Sequence, residues 1–410
     1  MEIRKYVSHH PEYPMLSSKN HTRNRTQSVP TSNEVNANKN MELWLTKTIK
    51  PPSSCDVSVL IIGFHLDSWN KSTTLLDRTI ECGSLHSCVQ VQYRPSRYNM
   101  FNFNVVMFSH LYMEIRNFKS SQWFHLLKRR SPEQRWVMFS LEPPVRVGLN
   151  TSVPKRARLQ SFHWTSTYDL QSDIPIPYGR YLPFDYKKRT SFTLHHVLTG
   201  KTKLIAFISS NCDKIRWPRT EFVRTLQRFV NIDMYGRCGD ILCGENCNSI
   251  LKQYKFILAL ENAPCRGYIT EKFWHTLNHT QAVPIVFGPL KGDYVKIAPP
   301  HSFIHIYDFS SIFKLAEYIK YLDKNDTAYL EYHTWKNEGE IGSIVHDWSR
   351  LPFNETFCAI SKRYQEDMEK FHRGEKTTFR DVNGADWLDT CQVHAIRPRG
   401  YMDYLPIPIL

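Results

Sequence analysis

The chain has 410 residues, 41% of them hydrophobic, 13% aromatic and 22% charged, enough apolar material for two or three domains with separate cores. Its formal net charge of +14, from 53 basic and 39 acidic residues, favours polyanions, phosphorylated small molecules or acidic surfaces. The positive charge is scattered, with no Lys/Arg block, zinc-finger spacing or RNA-binding aromatic signature, which argues against nucleic acid as a partner.

In chain order, residues 1–52 read as a polar arm rich in Asn, Ser, Lys and Pro, without apolar periodicity, ending in KPPSSC. Its opening, MEIRKYVSHHPEYPM, is too polar and His-rich for a signal peptide. The longest apolar stretch nearby, Val57 to Phe64, falls far short of the roughly 20 residues of a membrane span. Order is expected to begin with CDVSVLIIGF, a buried strand. Short apolar runs follow at SCVQVQY, FNVVMFSH and RWVMFSLE, with a helix over 111–128. Strands separated by helical stretches predict a parallel α/β sheet.

A second alternating series starts near Lys203. KLIAFISSNC reads as strand into turn, RTEFVRTLQRF as an amphipathic helix, VNIDMYGRCGD as a strand with a glycine turn, and CNSILKQY as a short helix. YKFILALEN and AVPIVFG are strands flanking the helix TEKFWHTL, and FSSIFKLAEYIKYLDKN is a longer helix. Two Rossmann-like halves facing one cleft are therefore expected.

Ten cysteines occur, none with CxxC spacing, which argues against a zinc ribbon or a thioredoxin-type site; no metal ligands are assigned. The even count and the sequons at Asn20, Asn24, Asn70, Asn150, Asn278, Asn325 and Asn354 point to the secretory pathway and to several disulfides.

Ligands of open α/β sheets bind beyond the carboxyl ends of the strands. In the second half this selects Ser209 to Cys212 followed by Arg216 and Arg219, the turn YGRCGD, and the segment from Glu261 to Lys272. Thr270 suits the N-cap of a helix beginning Glu271-Lys272. Amides at that helix start would attract an anion, and Lys272 adds a mobile positive charge. Arg219 offers a planar fork to a diphosphate, whereas Glu271, repelled by phosphate, suits ribose hydroxyls. The pattern describes a nucleoside-diphosphate site without a Walker or GxGxxG loop. The competing reading is a capped surface helix with solvated charges.

The segment YKFILALENAPCRGYITEKFWHTL with AVPIVFGP closely resembles the donor-binding signature of the α1,3-fucosyltransferases, glycosyltransferase family 10. AFISSNC with the following FVRTL, and IDMYGRCG, resemble neighbouring motifs of that family. QRWVMFSLEPP and FHWTSTYDLQSDIPIPYG resemble its acceptor-side segments, in the same order, so the likeness covers roughly residues 55 to 365. It implies an α/β protein of the GT-B type, with a stem over 1–52, an acceptor-side domain over 53–195, a GDP-fucose-binding domain over 196–365 and a C-terminal segment over 366–410. It implies inverting transfer of L-fucose from GDP-fucose to GlcNAc-containing glycans, with no required cofactor and a divalent metal at most stimulatory. A catalytically silent glycan-binding relative is the alternative.

Carried over by position, the resemblance makes Glu142 the catalytic base. Inverting transfer needs one carboxylate to take the acceptor proton. It puts donor contacts at Ser210, Asn211, Arg219, Asn262, Tyr268, Glu271 and Lys272, with Tyr168 near the fucose. The structural alternatives are that Glu142 ends a strand, Asn211 caps a turn and the tyrosines are core.

Several departures stand out. The spacing after Asn211 differs by about one residue from the usual pattern, which keeps Arg216 as a substitute for Arg219. Gly267 replaces a usual acidic residue, and His110 stands alone where paired histidines are familiar, leaving the acceptor open among N-acetyllactosamine, LacdiNAc and the N-glycan core. A glycan on Asn278 would have to point outward. His163 and Trp164 either touch acceptor sugar or pack. Cys212 and Cys265 either bridge or are two small buried hydrophobes, while Cys358 and Cys391 could tie the C-terminal segment to Cys55, Cys82 or Cys88. The family's single membrane span is not found, so a truncated form, a variant leader or a missed first exon is expected. The resemblance implies a Golgi lumenal enzyme, membrane-bound only through a leader absent from this sequence.

Overall fold

The computed structural model describes residues 55–62, 78–83, 87–94, 100–109, 120–144, 161–185, 193–212, 217–242, 244, 246–343, 353–382, 386–391 and 407–408. The first sheet holds β1 (Val57–Ile62), β2 (Arg78–Cys82), β3 (Ser87–Arg94), β4 (Val105–Ser109), β5 (Arg135–Ser140) and β6 (Trp164–Thr167), in the order β2-β3-β1-β4-β5-β6. All its pairings are parallel except β2 with β3. The four expected strands are present. β5 is buried along its whole length, as a strand covered on both faces must be. Of the expected helix over 111–128, α1 (Ser120–Arg129) is described, and residues 111–119 lie outside the described residues.

The second sheet has β8 (Lys203–Ile208), β9 (Ile232–Tyr235), β10 (Tyr254–Leu260), β11 (Val283–Phe287) and β12 (Ile304–His305), all parallel, in the order β12-β11-β10-β8-β9. Between them run α2 (Arg219–Gln227), α3 (Cys247–Leu251), α4 (Glu271–His275) and α5 (Lys291–Ile297), followed by α6 (Ile312–Lys324) and α7 (Asp326–Glu331). The helix expected from TEKFWHTL is α-helical for five residues and then widens into a π-turn over Thr276–Thr280. The Thr276 hydroxyl donates to Lys272 O at 2.6 Å and that of Thr280 to Thr276 O at 2.7 Å. Such back-bonding competes with the regular helical ladder.

Among the described residues, two secondary-structure elements carry the chain from one half to the other. β7 (Gly179–Pro183) pairs antiparallel with β13 (Gly339–Ser343). The 20-residue α8 (Phe353–His372) lies along β2 and β3 of the first sheet. It is held there by the Cys82–Cys358 disulfide, by the Arg135–Asp367 ion pair and by Arg363, whose guanidinium reaches Asp173 at 2.6 Å. The boundary expected at residue 365 therefore falls inside α8, in chain that has already returned to the first domain. The core is split accordingly: one cluster runs from Val59 and Val89 through Phe273 and Trp274 to Ile360, and a second fills the far side of the C-terminal sheet.

The described disulfides are Cys55–Cys88, Cys82–Cys358, Cys212–Cys238 and Cys265–Cys391. The expected tie from Cys358 to Cys82 is present, whereas Cys391 joins Cys265 rather than Cys55, Cys82 or Cys88, and Cys55 pairs with Cys88. The Cys212–Cys265 bridge is corrected. β8 pairs with β9, so their following turns lie side by side, with Cys238 N donating to Ser209 O at 3.0 Å. Cys265 instead meets Cys391 in an antiparallel bridge.

Cys82–Cys358 spans 276 residues of sequence, and closing a long loop removes much of the unfolded chain's entropy. The Cys82→Ala/Cys358→Ala double variant should unfold more easily by about 3 kcal/mol in denaturant titration. An unchanged midpoint would show that α8 is held by packing alone.

Candidate functional site

The carboxyl ends of β5, β8 and β10 deliver three groups of side chains to the cleft. The first surrounds Glu142, two residues past β5. The Ser140 hydroxyl donates to Glu142 O at 2.7 Å and accepts from Glu142 N at 3.2 Å, fixing the bend. The Tyr178 hydroxyl donates to Leu141 O at 2.8 Å. From the opposite domain the Tyr268 hydroxyl donates to Glu142 Oε2 at 3.0 Å. Tyr268 packs against Tyr168, ring centroids 4.9 Å apart, and edge-on against Tyr178. Burial, then the Glu142 charge, pushes the Tyr178 and Tyr268 phenols well above their ordinary range. Both stay protonated and act as donors.

The second group is organised by Arg219, 2% exposed at the start of α2. One guanidinium nitrogen donates to Leu260 O at 2.9 Å and to Asn262 Oδ1 at 2.8 Å; the other donates to Ser209 Oγ at 2.7 Å and Asn211 O at 2.9 Å. It thereby ties the loop after β8 to the end of β10, bringing Asn211 and Asn262 together. The fork read from the sequence as a diphosphate contact is here a buried girder turned onto protein oxygens, because a guanidinium with several donors can satisfy neighbouring carbonyl oxygens in one plane. Ser210 is exposed, its carbonyl taken by Arg237 Nε at 3.0 Å. Gly236, at φ +84°, lets the β9 turn approach, since a Cβ there would sit 2.6 Å from Ser209 O. Arg216 and His110 lie outside the described residues.

The third group is the turn from Glu261 to Lys272. Thr270 is the N-cap of α4, accepting from Lys272 N at 3.5 Å. The amides expected to await an anion are partly spent: Thr270 N donates to Glu261 Oε1 at 2.7 Å. Lys272 Nζ touches Thr270 Oγ1 at 2.9 Å, Glu271 Oε1 at 3.0 Å and Glu261 Oε2 at 3.3 Å. Burial would lower the ammonium's pKa, but the attraction of Glu261 and Glu271 outweighs it and holds the group charged. For Glu271 burial pulls upward and Lys272 more than compensates, so its pKa lies below the usual range. Glu261 has no exposed surface, and burial leaves its pKa raised. The sequence placed Glu261 at the start of the selected segment without giving it a role, because it closes an apolar strand; its partners Thr270 and Lys272 lie nine and eleven residues on.

The cleft rim carries an interdomain ion pair, Arg266 to Asp169 at 2.8 Å. Gly267, at φ +69°, passes close to Asp169 and donates its N–H to Asp293 at 3.2 Å. Asn278 is exposed on the π-turn. His163 and Trp164 pack: His163 is 4% exposed, accepts from Trp136 N at 2.9 Å and lies against Phe379, while Trp164 is buried beneath Arg363.

A family model described as "Fucosyltransferase, N-terminal" matches residues 57–179, and one described as "Glycosyltransferase family 10 (fucosyltransferase) C-term" matches residues 198–383. Glycoprotein 3-alpha-L-fucosyltransferase A of Drosophila melanogaster is 36% identical over 220 residues, covering 52% of this chain and 42% of that protein. Alpha-(1,3)-fucosyltransferase 7 of Rattus norvegicus is 30% identical over 325 residues, 78% of this chain and 80% of that protein. A crystal structure of an alpha1,3-fucosyltransferase with GDP-fucose superposes with a TM-score of 0.48 at 18% identity, over 80% of this chain and 96% of that one.

If Arg219 is a girder, Arg219→Met should lower the unfolding free energy by about 3 kcal/mol, through stranded buried carbonyls. Normal stability with lost GDP affinity would return it to the phosphates. Burial, then the charges of Arg130 and Arg135, hold the His163 pKa down at about 2. The unfolded chain takes up this proton near pH 6.5 and the folded chain does not, so stability falls as pH drops below that value. Relative to His163→Asn, wild type should lose about 1.4 kcal/mol per pH unit there, read by urea unfolding. Parallel pH dependences would contradict a buried neutral imidazole.

Proposed function

The chain belongs to glycosyltransferase family 10, the fucosyltransferases, and from that premise we propose that it transfers L-fucose from GDP-fucose in α1,3 linkage to an N-acetylglucosamine unit of a glycoprotein or glycolipid glycan. The observation that carries the reading is the meeting of Glu142 with the donor-side turn across the cleft, through the 3.0 Å bond from Tyr268. In the proposed step the Glu142 carboxylate takes the proton of the acceptor hydroxyl. That oxygen bonds to the anomeric carbon of fucose from the face opposite the diphosphate, the bond from carbon to the β-phosphate oxygen breaks, and GDP departs with its electron pair. One base suffices because GDP is already a good leaving group. Charge growing on the leaving diphosphate needs a fixed cation, which we assign to Lys272, with Glu271 facing the ribose and Asn211, Asn262 and Ser210 the remainder of the nucleotide.

Tyr168 and Tyr268 form the aromatic wall proposed to face the fucose. Arg219 serves the donor by holding Asn211 and Asn262 in one plane. No metal is required in this scheme. The Golgi lumen is the proposed compartment. The disulfides fit an oxidising environment, and among the described residues no helix is long and apolar enough to cross a membrane.

The test is transfer of labelled fucose from GDP-fucose to a small panel of GlcNAc-terminated glycans in the presence of EDTA. Wild type should give a 3-linked product. Glu142→Gln should bind GDP normally while transfer falls at least about a hundredfold. Full turnover by that variant would remove Glu142 as base, and GDP binding with no transfer by wild type would favour a silent glycan-binding relative.

A further inference from the structure

Glu261 is a carboxylate with no exposed surface at the end of β10, an arrangement that is costly unless every oxygen is paired. Its main chain is pinned, N–H to Phe287 O at 2.8 Å and C=O accepting from Trp217 Nε1 at 2.9 Å. Its side chain is pinned as well. Oε1 accepts from Thr270 N at 2.7 Å, and Oε2 accepts from Thr270 Oγ1 at 2.9 Å and Lys272 Nζ at 3.3 Å. The neighbouring strand makes room for it: Gly288 sits at φ +152°, and a Cβ there would lie 2.7 Å from Glu261 Cβ. Capping α4 does not explain the carboxylate, because the Thr270 hydroxyl already fills that role.

What Glu261 adds is a fixed negative charge beneath the Lys272 ammonium. The two carboxylates that share this ammonium differ in freedom. The Glu271 side chain is 36% exposed, whereas that of Glu261 is wholly enclosed. When an anion reaches Lys272, Glu271 is the partner able to turn away. Glu261 cannot follow, since Thr270 holds both of its oxygens.

We infer that Glu261 is a positioning residue for the donor: acting with the Thr270 hydroxyl, it anchors the Lys272 ammonium at the point where the diphosphate is received. The inference rests on the proposed phosphate role of Lys272. The long, flexible lysine stem would otherwise lose considerable rotamer freedom on binding, and here that ordering is already done in the folded chain. The charged and titratable groups around this ammonium are Glu261 from β10, Glu271 from α4 and Arg219 from α2, which repels it; the phenols of Tyr178, Tyr268 and Tyr294 feel the Glu261 charge. Removing the Glu261 charge leaves a half-buried ammonium with one carboxylate and a repelling guanidinium, so it should lose its proton at lower pH than in wild type.

The experiment is calorimetric titration of the intact chain with GDP from neutral pH to about pH 9, on wild type, Glu261→Gln and Lys272→Ala, with the melting temperature recorded alongside. Glu261→Gln should bind GDP about tenfold more weakly near neutrality. Its affinity should fall further as pH rises, while wild-type affinity stays flat. A merely structural role would lower the melting temperature without creating this alkaline limb. Thr270→Val, isosteric and still offering its amide to Glu261, carries the same test if Glu261→Gln folds poorly, with a smaller loss in the same direction. Wild-type affinity and a flat pH profile in both variants, with Lys272→Ala impaired, would overturn the Glu261 role alone. Wild type that ignores GDP, or Lys272→Ala that binds it normally, would overturn the donor reading and this inference with it.

Discussion

The hydrogen bond from Tyr268 to Glu142 is the constraint on which the rest of the site depends. Its donor belongs to the C-terminal domain and its acceptor to the N-terminal domain, so the carboxylate is oriented only when both halves are in register. The chain secures that register in several ways. α8 crosses back and is stitched to the first sheet by Cys82–Cys358, β7 pairs with β13, and Arg266 meets Asp169 at the rim. The Cys265–Cys391 disulfide clamps the loop that carries Tyr268, with Arg266 N donating to Thr390 O at 2.8 Å. The part-exposed ion pair is the weakest of these links, contributing about 1 kcal/mol or less, but with the disulfides and the strand pairing it leaves the tyrosine little freedom.

The parallel strands were legible because strands buried on both faces are written as apolar runs, as in Val283–Phe287 and, after Lys255, the Phe256–Leu260 stretch of β10. β6 was not, because Trp164–Thr167 is polar by composition yet wholly buried. Its hydroxyls find partners in Asp173 and Ile174 O, which no local pattern announces. β2 escaped notice as a short edge strand with alternating burial. α8 carries a readable apolar stripe at Phe357, Ile360, Tyr364 and Met368. Spacing gives the face that is buried, not the sheet it meets, and its return to the first domain is a tertiary fact.

The site shows the same division. Residue types and order were enough to select Glu271 and Lys272 at a capped helix start, whereas Glu142 and Tyr268 came from the resemblance to the family. The part played by Arg219 was not readable: an arginine on a first helical turn looks the same whether it faces solvent or carbonyl oxygens. Glu261 was in view as the first residue of the segment, but its apolar neighbours gave no sign that its carboxylate would be fully buried against Thr270 and Lys272. Two carboxylates, one ammonium and one buried guanidinium leave this region formally neutral. On the proposed reading, a diphosphate reaching Lys272 displaces an existing contact rather than filling a positive vacancy, and Glu271, whose side chain is 36% exposed, is the contact that yields.

The central claim is that a single carboxylate, held across the cleft, deprotonates an acceptor that attacks fucose from the face opposite GDP. The most direct measurement is proton NMR of the first-formed product from GDP-fucose and an N-acetylglucosamine acceptor, read before any later equilibration. The account predicts a fucose joined to the 3-oxygen with its anomeric configuration inverted relative to the donor. Retained configuration would contradict the single-base mechanism, and attachment at another oxygen would contradict the proposed linkage.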